Sequence, residues 1–196
     1  MSPVPRYAVA VLLGLTLGLG SAVAVTGGLM GGGALTAGRW STDLTVGAPA
    51  ATPWVRARIA RVGLLALNRD ETLYFDRATD EDGRALDARC SYRVEGGPLP
   101  ARWWSVTIYG ADQMLPRNDD GAASIDATRL AAAGAWTATV AAARPSTGAW
   151  ISARGAGAFT LTLRLYNPAR MAAAQLGRLA LPAVRRVRCD DAGGRP

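Results

Sequence analysis

The sequence predicts an all-β domain of the β-sandwich or jelly-roll type, with antiparallel sheets, behind an N-terminal transmembrane helix. Two observations predict the sheets. Apolar and polar residues alternate in several short segments, and turn-forming residues separate those segments at short intervals. A third observation predicts the membrane helix, since the chain carries no charged side chain from Tyr7 to Gly38. We expect one or two short additional helices beside the strands.

The N-terminal segment is long enough to cross a membrane. About 20 apolar helical residues span a hydrocarbon core of about 30 Å, and the stretch from Tyr7 to Met30 supplies that length. The alternative is a secretory signal peptide, because Arg6 provides a basic start and Ala22-Val23-Ala24 has the form of a cleavage site. The apolar run continues beyond this site, so we favour an uncleaved anchor.

Composition divides the chain into four parts: an anchor or signal peptide at 1–38, a linker with an amphipathic helix at 39–69, a β-sandwich domain at 70–189, and a disordered tail at 190–196. Within the second part, Thr52 and Pro53 are typical of a helix start, and Asn68 can end the helix. This basic helix could lie on the lipid surface or pack against its own domain.

Six segments of the third part have the alternation of β-strands: Leu86–Glu95, Trp103–Tyr109, Trp136–Val140, Trp150–Ala153, Phe159–Tyr166 and Pro182–Cys189. The alternation is clearest in the fifth segment, and the last one is a predicted edge strand that carries several arginines. Asn167 and Pro168 predict the start of a short helix from Ala169 to Leu176, which Gly177 would stop.

The two cysteines, Cys90 and Cys189, lie near the two ends of the predicted domain, and neither belongs to a metal-binding motif. Joined, they would close a loop of about 100 residues, for which chain entropy predicts a stabilisation of roughly 4.7 kcal/mol. Such a disulfide would place the domain in an oxidising compartment. The alternative is a pair of ordinary buried thiols.

The composition limits the chemistry that the protein can perform. All 22 basic residues are arginine, and histidine is absent, which excludes Ser-His-Asp and Cys-His hydrolases. The chain contains no phosphate loop, nucleophile elbow or dinucleotide fingerprint on a strand–helix unit. We therefore predict no catalytic residue, no cofactor and no metal. The net charge of +7 would suit nucleic acid, but an exported domain seldom meets any, and we expect no such partner.

Four residues are candidate ligand contacts: Arg102, Tyr109, Arg164 and Tyr166. The guanidinium fork of arginine suits bidentate recognition of a carboxylate, and the four residues would lie near one another if their two strands pair. The alternative is a purely structural cross-strand pair of charged and aromatic side chains.

The same two strands carry a family resemblance. Residues Pro100–Tyr109 resemble the W-S-x-T-x-Y core of the domain of unknown function 1214 family, and Gly157–Pro168 resemble its G-x-F-x-L-x-L-R-L-Y-x-P segment. Both motifs occur in the expected order and spacing, over a region from about Tyr74 to Cys189. Between them, Ala122-Ala123-Ser124-Ile125 and an alanine-rich stretch replace the usual R-[YF]-S strand and D-G-S turn. The resemblance suits the short bacterial members with one transmembrane segment, and it implies a β-sandwich-like fold and no established reaction.

These observations together predict a single-pass protein of the bacterial inner membrane, with its C-terminal domain in the periplasm or otherwise outside the cytoplasm. We expect a non-catalytic binding or structural module that contacts membrane lipid through its N-terminal segment, with another envelope protein as a potential partner. The alternative is an enzyme of unrecognised type that acts on a small or sugar-like substrate, using Arg164, Tyr109 and an acid between Asp70 and Asp87.

Overall fold

The computed structural model describes residues 4–26, 34–130, 134–170 and 172–190. In these ranges two β-sheets dominate the chain, which confirms the predicted all-β class. The strands are β1 (Leu35–Ala37), β2 (Trp40–Thr42), β3 (Thr72–Arg77), β4 (Cys90–Gly96), β5 (Ala101–Gly110), β6 (Ser124–Asp126), β7 (Trp136–Ala141), β8 (Ala149–Ser152), β9 (Phe159–Pro168) and β10 (Ala183–Cys189).

The helix α1 (Val4–Thr26) is the candidate membrane span. Its segment Arg6–Val25 is long and apolar enough to cross a bilayer, and none of that segment is buried against the rest of the protein. A helix that served as the core of a soluble domain would instead be covered by other elements. Length, composition and exposure therefore fit either a membrane anchor or a signal peptide.

The larger sheet has six strands in the order β1-β2-β3-β9-β5-β6, and all of its pairs are antiparallel. The two strands that carry the family resemblance, β5 and β9, pair along almost their whole lengths. The smaller sheet has four strands in the order β10-β4-β7-β8. Its β7–β8 pair is parallel, which departs from the purely antiparallel sheets that the sequence predicts.

An apolar core fills the space between the two sheets. Val106 and Leu163 are register partners on β5 and β9, and both are fully buried. The two sheets contact each other through aromatic pairs: Trp104 of β5 stacks on Trp136 of β7 with ring centroids 4.5 Å apart. The inner face of the six-stranded sheet packs into this core. The polar side chains of that sheet therefore lie on its outer face.

Four strands, β1, β2, β3 and β6, are absent from the sequence-based prediction. Three of them are only three residues long, which is too short for a period of two to be recognised. Strand β3 follows an acidic, turn-rich stretch, and its charged residues Asp76 and Arg77 hide the alternation of Leu73 and Phe75. The sheet therefore begins at Leu35, well before residue 70.

The helix α2 (Pro53–Val62) begins as predicted, because the side chain of Thr52 accepts a hydrogen bond from the Val55 amide and proline occupies the first turn. The predicted end at Asn68 is wrong. Gly63 ends the helix in the left-handed region at φ 65°, where its amide and that of Leu64 bond to carbonyls of the last turn. Asn68 instead caps a later turn through its side chain.

The predicted helix from Ala169 to Leu176 does not form; turns and a short 3-10 helix at Leu176–Arg178 occupy the described part of this segment. The physical reason is the role of Pro168. Instead of starting a helix, Pro168 is the last residue of β9 and pairs with Ala101 of β5. Met171 lies outside the described residues.

Cys90 and Cys189 are joined by a disulfide, as predicted. They are register partners on β4 and β10, so the bond ties the edge strand to its neighbour. Intracellular proteins rarely keep such bonds, so the disulfide indicates that the domain lies outside the cytoplasm. The prediction that the last strand forms a sheet edge is also confirmed.

A buried ion pair stands beside this edge strand. Asp80 is completely buried, and its Oδ1 accepts hydrogen bonds from the amides of Asp82 at 3.0 Å and Arg84 at 2.9 Å. Its Oδ2 lies 2.8 Å from Nε of Arg186 on β10. A buried carboxylate is tolerated only when it is paired and hydrogen-bonded. Oδ1 has its two amide hydrogen bonds, whereas the contact between Oδ2 and Nε is an ion pair in which neither atom has a hydrogen-bond partner among the described residues.

Candidate ligand-binding cleft

The polar residues of the six-stranded sheet form rows on its outer face. Register partners on antiparallel strands share a face of the sheet. One row therefore contains Tyr74 of β3, Arg164 of β9 and Ser105 of β5, and the row beside it contains Asp76, Thr162 and Thr107. The pairing of the strands thus brings Arg164 beside Tyr74 and Asp76, which precede it in the sequence by 90 and 88 residues.

The segment 63–67, which follows α2, covers part of this polar face. Tyr74 fastens it, because its hydroxyl donates to the Leu65 carbonyl at 2.7 Å and accepts from the Leu67 amide at 3.2 Å. Gly47 packs against the far side of the segment, with φ 71°, where a Cβ atom would lie 2.1 Å from the Leu67 carbonyl oxygen. Only glycine permits this close approach.

Between the cover and the sheet lies a cleft of about 320 Å³. A second cavity of about 150 Å³ adjoins it. The two share the residues Leu64, Tyr74, Asp76 and Gln113 as a common wall. The larger cleft has a polar floor and an apolar cover, and it is lined by Gly63, Leu64, Leu65, Leu67, Tyr74, Asp76, Tyr109, Gln113, Thr162, Arg164 and Tyr166.

Arg164 is the central cation of the cleft. Its guanidinium carbon lies 5.9 Å from the ring centre of Tyr74 and 5.4 Å from that of Tyr109, in cation–π contact with both. Nη2 donates to the Tyr109 hydroxyl at 2.8 Å, and Nη1 donates to Oγ1 of Thr107 at 3.3 Å. Guanidinium has five N–H donors, so three remain without an acceptor among the described residues.

Asp76 supplies the negative charge beside this arginine. Its Oδ1 accepts a hydrogen bond of 2.6 Å from Thr162. Asp76 is exposed as a residue, but its carboxyl lines the cleft, and partial desolvation there raises the pKa of Asp76. The hydrogen bond from Thr162 and the charges of Arg164 and Arg58 oppose that shift without cancelling it.

Gln113 reaches the cleft from the turn after β5. Its φ of 65° lies in the left-handed region, which is uncommon for a residue with a side chain. The turn is held in place by the Gly110 carbonyl, which accepts from the Gln113 amide, and by the Asp112 side chain, which accepts from the Met114 amide, both at 2.9 Å. A strained conformation fixed in this way is typical of functional sites.

Three of the four sequence-predicted contacts, Tyr109, Arg164 and Tyr166, line the cleft together. Arg102 does not line it; it is an exposed residue near the start of β5. Sequence reasoning missed Tyr74, because β3 was not predicted. The acid that the enzyme alternative requires between Asp70 and Asp87 is present in the cleft as Asp76.

Sequence reasoning also missed Gln113 and the apolar cover. No local pattern marks either, because Gln113 lies in an irregular turn and the cover follows an unexpected helix end.

The two adjacent tryptophans of β5 have different surroundings. Trp104 is buried in the core, whereas Trp103 is 36% exposed on the outer face and packs against Tyr166 with centroids 5.2 Å apart.

Within the described ranges, no three acidic, cysteine or histidine side chains gather where they could hold a metal ion. The polar groups of the cleft are a guanidinium, phenol and threonine hydroxyls, a carboxylate and the Gln113 amide. This set can bind an oxyanion and hydroxyl groups, and it can exchange a proton through Asp76.

Comparison with known proteins identifies the family. The model of a family described as "Protein of unknown function (DUF1214)" matches residues 71–170. The chain belongs to the DUF1214 family. The matched region contributes the polar floor of the cleft, from Tyr74 to Tyr166, whereas the apolar cover at 63–67 lies before it. The outer wall of the cleft is therefore formed by residues outside the DUF1214 region.

Two solved structures resemble this DUF1214 protein. One is the VPA0106 protein from Vibrio parahaemolyticus, with 25% sequence identity and a TM-score of 0.55, over 71% of this chain and 36% of that chain. The other is a putative uncharacterized protein from Burkholderia cenocepacia, with 19% identity and a TM-score of 0.45, over 60% and 30% of the two chains. The aligned region is about a third of the length of each solved chain. No curated protein matches the sequence.

Proposed function

We propose that this protein is a membrane-anchored module of the bacterial envelope that binds a small oxyanion-bearing ligand in its cleft, without a covalent step. The observation that carries the proposal is that Arg164 is held by hydrogen bonds but is not paired with a carboxylate among the described residues. Its guanidinium is held by Tyr109 and Thr107, and it forms no ion pair with a carboxylate in the described part of the chain. An arginine that is fixed in place and still has unused donors is suited to a carboxylate or phosphate.

The remaining groups of the cleft would give the ligand its orientation. Oxygen atoms of the ligand can accept from the unused N–H groups of Arg164, while its hydroxyl groups can donate to Asp76 or bond to Gln113. The ring of Tyr166 and the side chain of Leu64 provide apolar contact on the other sides. A few fixed polar groups within an apolar wall are typical of small-molecule sites, although this cleft is at the lower end of their usual volume.

The proposed location is the inner membrane, with the span retained and both sheets on the periplasmic side. Two observations support it: α1 is an exposed apolar helix of sufficient length, and the disulfide requires an oxidising compartment.

Binding of the oxyanion is tested with the full-length chain in detergent, titrated with inorganic phosphate, glucose 1-phosphate and glucuronate and followed by calorimetry. We expect saturable binding of at least one probe, weakened tenfold or more by Arg164→Met. The matched control is Arg102→Met, which removes an arginine outside the cleft and should leave the affinity unchanged. Absence of saturable binding, or equal losses in both variants, would overturn the proposal.

A second candidate function is favoured by the position of Asp76, which lines the cleft together with Arg164 and Tyr109 and whose pKa is raised by desolvation. A carboxyl group that holds its proton more tightly than usual could act as a general acid on a small or sugar-like substrate. Mass spectrometry of bound probes after incubation distinguishes the two functions. Turnover that disappears in Asp76→Asn would identify an enzyme, whereas recovery of the intact probe supports the binding module.

A further inference from the structure

We infer that the ligand of the cleft is the anionic head group of a lipid, bound while the acyl chains remain in the bilayer. This inference rests on the proposed function, because it assigns a chemical class to the ligand that Arg164 binds. Three features carry it: the division of the cleft into a polar floor and an apolar cover, the exposure of Leu65 on that cover and of Trp54 on α2, and the position of the membrane helix.

The cleft has the two-sided character of an amphiphile site. Its floor presents Arg164 and Asp76, which suit a charged and hydroxylated head group. Its cover presents Leu64, Leu65 and Leu67, which have no polar side-chain atoms to offer a sugar or a free anion. A ligand that satisfies both walls carries an oxyanion at one end and hydrocarbon at the other.

Leu65 belongs both to the cleft and to the outer surface. It lines the cavity, yet its side chain is 79% exposed, so the apolar wall continues out of the cleft toward solvent. On α2, the helix that leads into the cover, Trp54 is 50% exposed and lies seven residues before Arg61, on the same helix face. Tryptophan and arginine on one helix face are typical of a face that rests in the head-group region.

The membrane helix leads to the same side of the domain. The residues of α1 are exposed along most of its length, but Ala22, Ala24 and Val25 near its C-terminal end are partly covered, and α1 contacts α2. Only the residues between Thr26 and Leu35 connect the span to the first strand, a tether of about 30 Å when fully extended. The helix that leads into the cleft cover is therefore held next to the bilayer.

The volume of the cleft limits how much of a lipid it can hold. One water molecule takes up about 30 Å³ in the liquid, so the cleft of about 320 Å³ has room for about ten groups of that size. That space is sufficient for a phosphate or carboxylate head and the first few carbons, but not for a complete acyl chain. The remaining carbons would pass over Leu65 into the bilayer, so the lipid would be recognised without being extracted.

The test uses the full-length chain in phosphatidylcholine nanodiscs and two probes with the same head group. Glycerol 3-phosphate carries no chain, whereas hexanoyl lysophosphatidic acid carries a short one. We expect the second probe to bind at least tenfold more tightly. We expect Leu65→Ser to reduce that advantage, the ratio of the two affinities, to about twofold or less. Because Leu65 is exposed, this substitution spares the fold.

Two controls separate specific binding from partitioning into the nanodisc. Arg164→Met leaves the lipid surface intact, so only the signal that this variant loses counts as binding in the cleft. Val187→Ser removes a comparably exposed apolar side chain, 58% exposed on β10 of the other sheet, and should preserve the chain-dependent advantage.

The outcomes distinguish failure of the lipid inference from failure of the proposed oxyanion binding. If both probes bind with equal affinity through Arg164, the lipid inference is wrong and the oxyanion function stands. If neither probe shows binding that depends on Arg164, the proposed function itself fails for phosphate ligands. If a fatty acid such as hexanoate, added as a third probe, competes as well as the lysophospholipid, the source is a carboxylate amphiphile instead of a phospholipid.

Discussion

Arg164 and Tyr109, which are 55 residues apart in the sequence, meet on neighbouring strands, where Nη2 of the arginine donates a hydrogen bond of 2.8 Å to the tyrosine hydroxyl. The antiparallel pairing of β9 with β5 creates this contact. Together with the bond from Nη1 to Thr107 of the same strand, this bond holds the guanidinium in place, which makes the pair the structural basis of the proposed anion site.

Removing the Tyr109 hydroxyl should loosen this arginine. In Tyr109→Phe the aromatic ring remains beneath the guanidinium, but Nη2 loses its acceptor. A hydrogen bond to a charged group contributes about 1.5 kcal/mol at the low end of its range, which is appropriate to an open cleft. We expect ligand affinity to fall by up to about tenfold in the calorimetric assay. Tyr166→Phe, a cleft tyrosine that accepts no bond from Arg164, is the control, and equal losses in the two variants would contradict the assigned role.

The stability of the protein should depend on pH through Asp76. Burial raises the folded-state pKa of this carboxyl above its ordinary 3.8, so the folded protein binds the proton more tightly than the unfolded chain. The free energy of unfolding therefore falls as pH rises from about 3.8 through the folded-state pKa. Asp76→Asn removes this dependence and keeps an oxygen that can accept from Thr162.

The stability of Asp76→Asn relative to wild type should therefore increase with pH across that window and then remain constant. Urea unfolding at successive pH values measures it. Asp70→Asn, which removes a carboxylate from the exposed surface, corrects for the general effect of losing one negative charge. A difference between Asp76→Asn and wild type that is independent of pH would show that burial does not control this carboxyl.

Reduction of the disulfide should destabilise the domain strongly. Cys90 and Cys189 are separated by 99 residues, and loss of a native disulfide typically costs about 2–5 kcal/mol. Urea unfolding with and without dithiothreitol measures the effect. The double variant Cys90→Ala/Cys189→Ala should match the reduced wild type and should not respond to dithiothreitol. An unchanged unfolding midpoint after verified reduction would show that the bond is dispensable.

The buried pair of Arg186 and Asp80 should contribute far more than its surface neighbour. Arg186→Ala leaves the fully buried Asp80 without its cation, and breaking a buried ion pair in this way costs about 3–5 kcal/mol. The adjacent Arg185→Ala removes an exposed partner of Glu95, which should cost less than about 1 kcal/mol. Chemical denaturation of both variants provides the comparison. Similar losses would mean that the Asp80 carboxylate is stabilised by its backbone hydrogen bonds alone.

Local patterns in the sequence predicted those strands and helix ends that are set by residues close together along the chain. The alternation of Phe159–Tyr166 predicted the central strand of the large sheet, and Thr52-Pro53 predicted the start of α2. Two local predictions were wrong. Gly63 ends α2 before Asn68 is reached, and Pro168 pairs with Ala101 as the last residue of β9 instead of starting a helix.

The sequence by itself determined the all-β class, the apolar helix and the family. Composition and short-range periodicity are sufficient for the first two, and the motifs of the two central strands carry the resemblance to the family. Only the tertiary structure decided the cleft. Its floor requires the register that aligns Tyr74 with Arg164 and Asp76 with Thr162, and its cover requires the turn at Gly63 to lay Leu64 over that floor. Register and long-range packing arise from the cooperation of all the strands, and no single segment of the sequence encodes them.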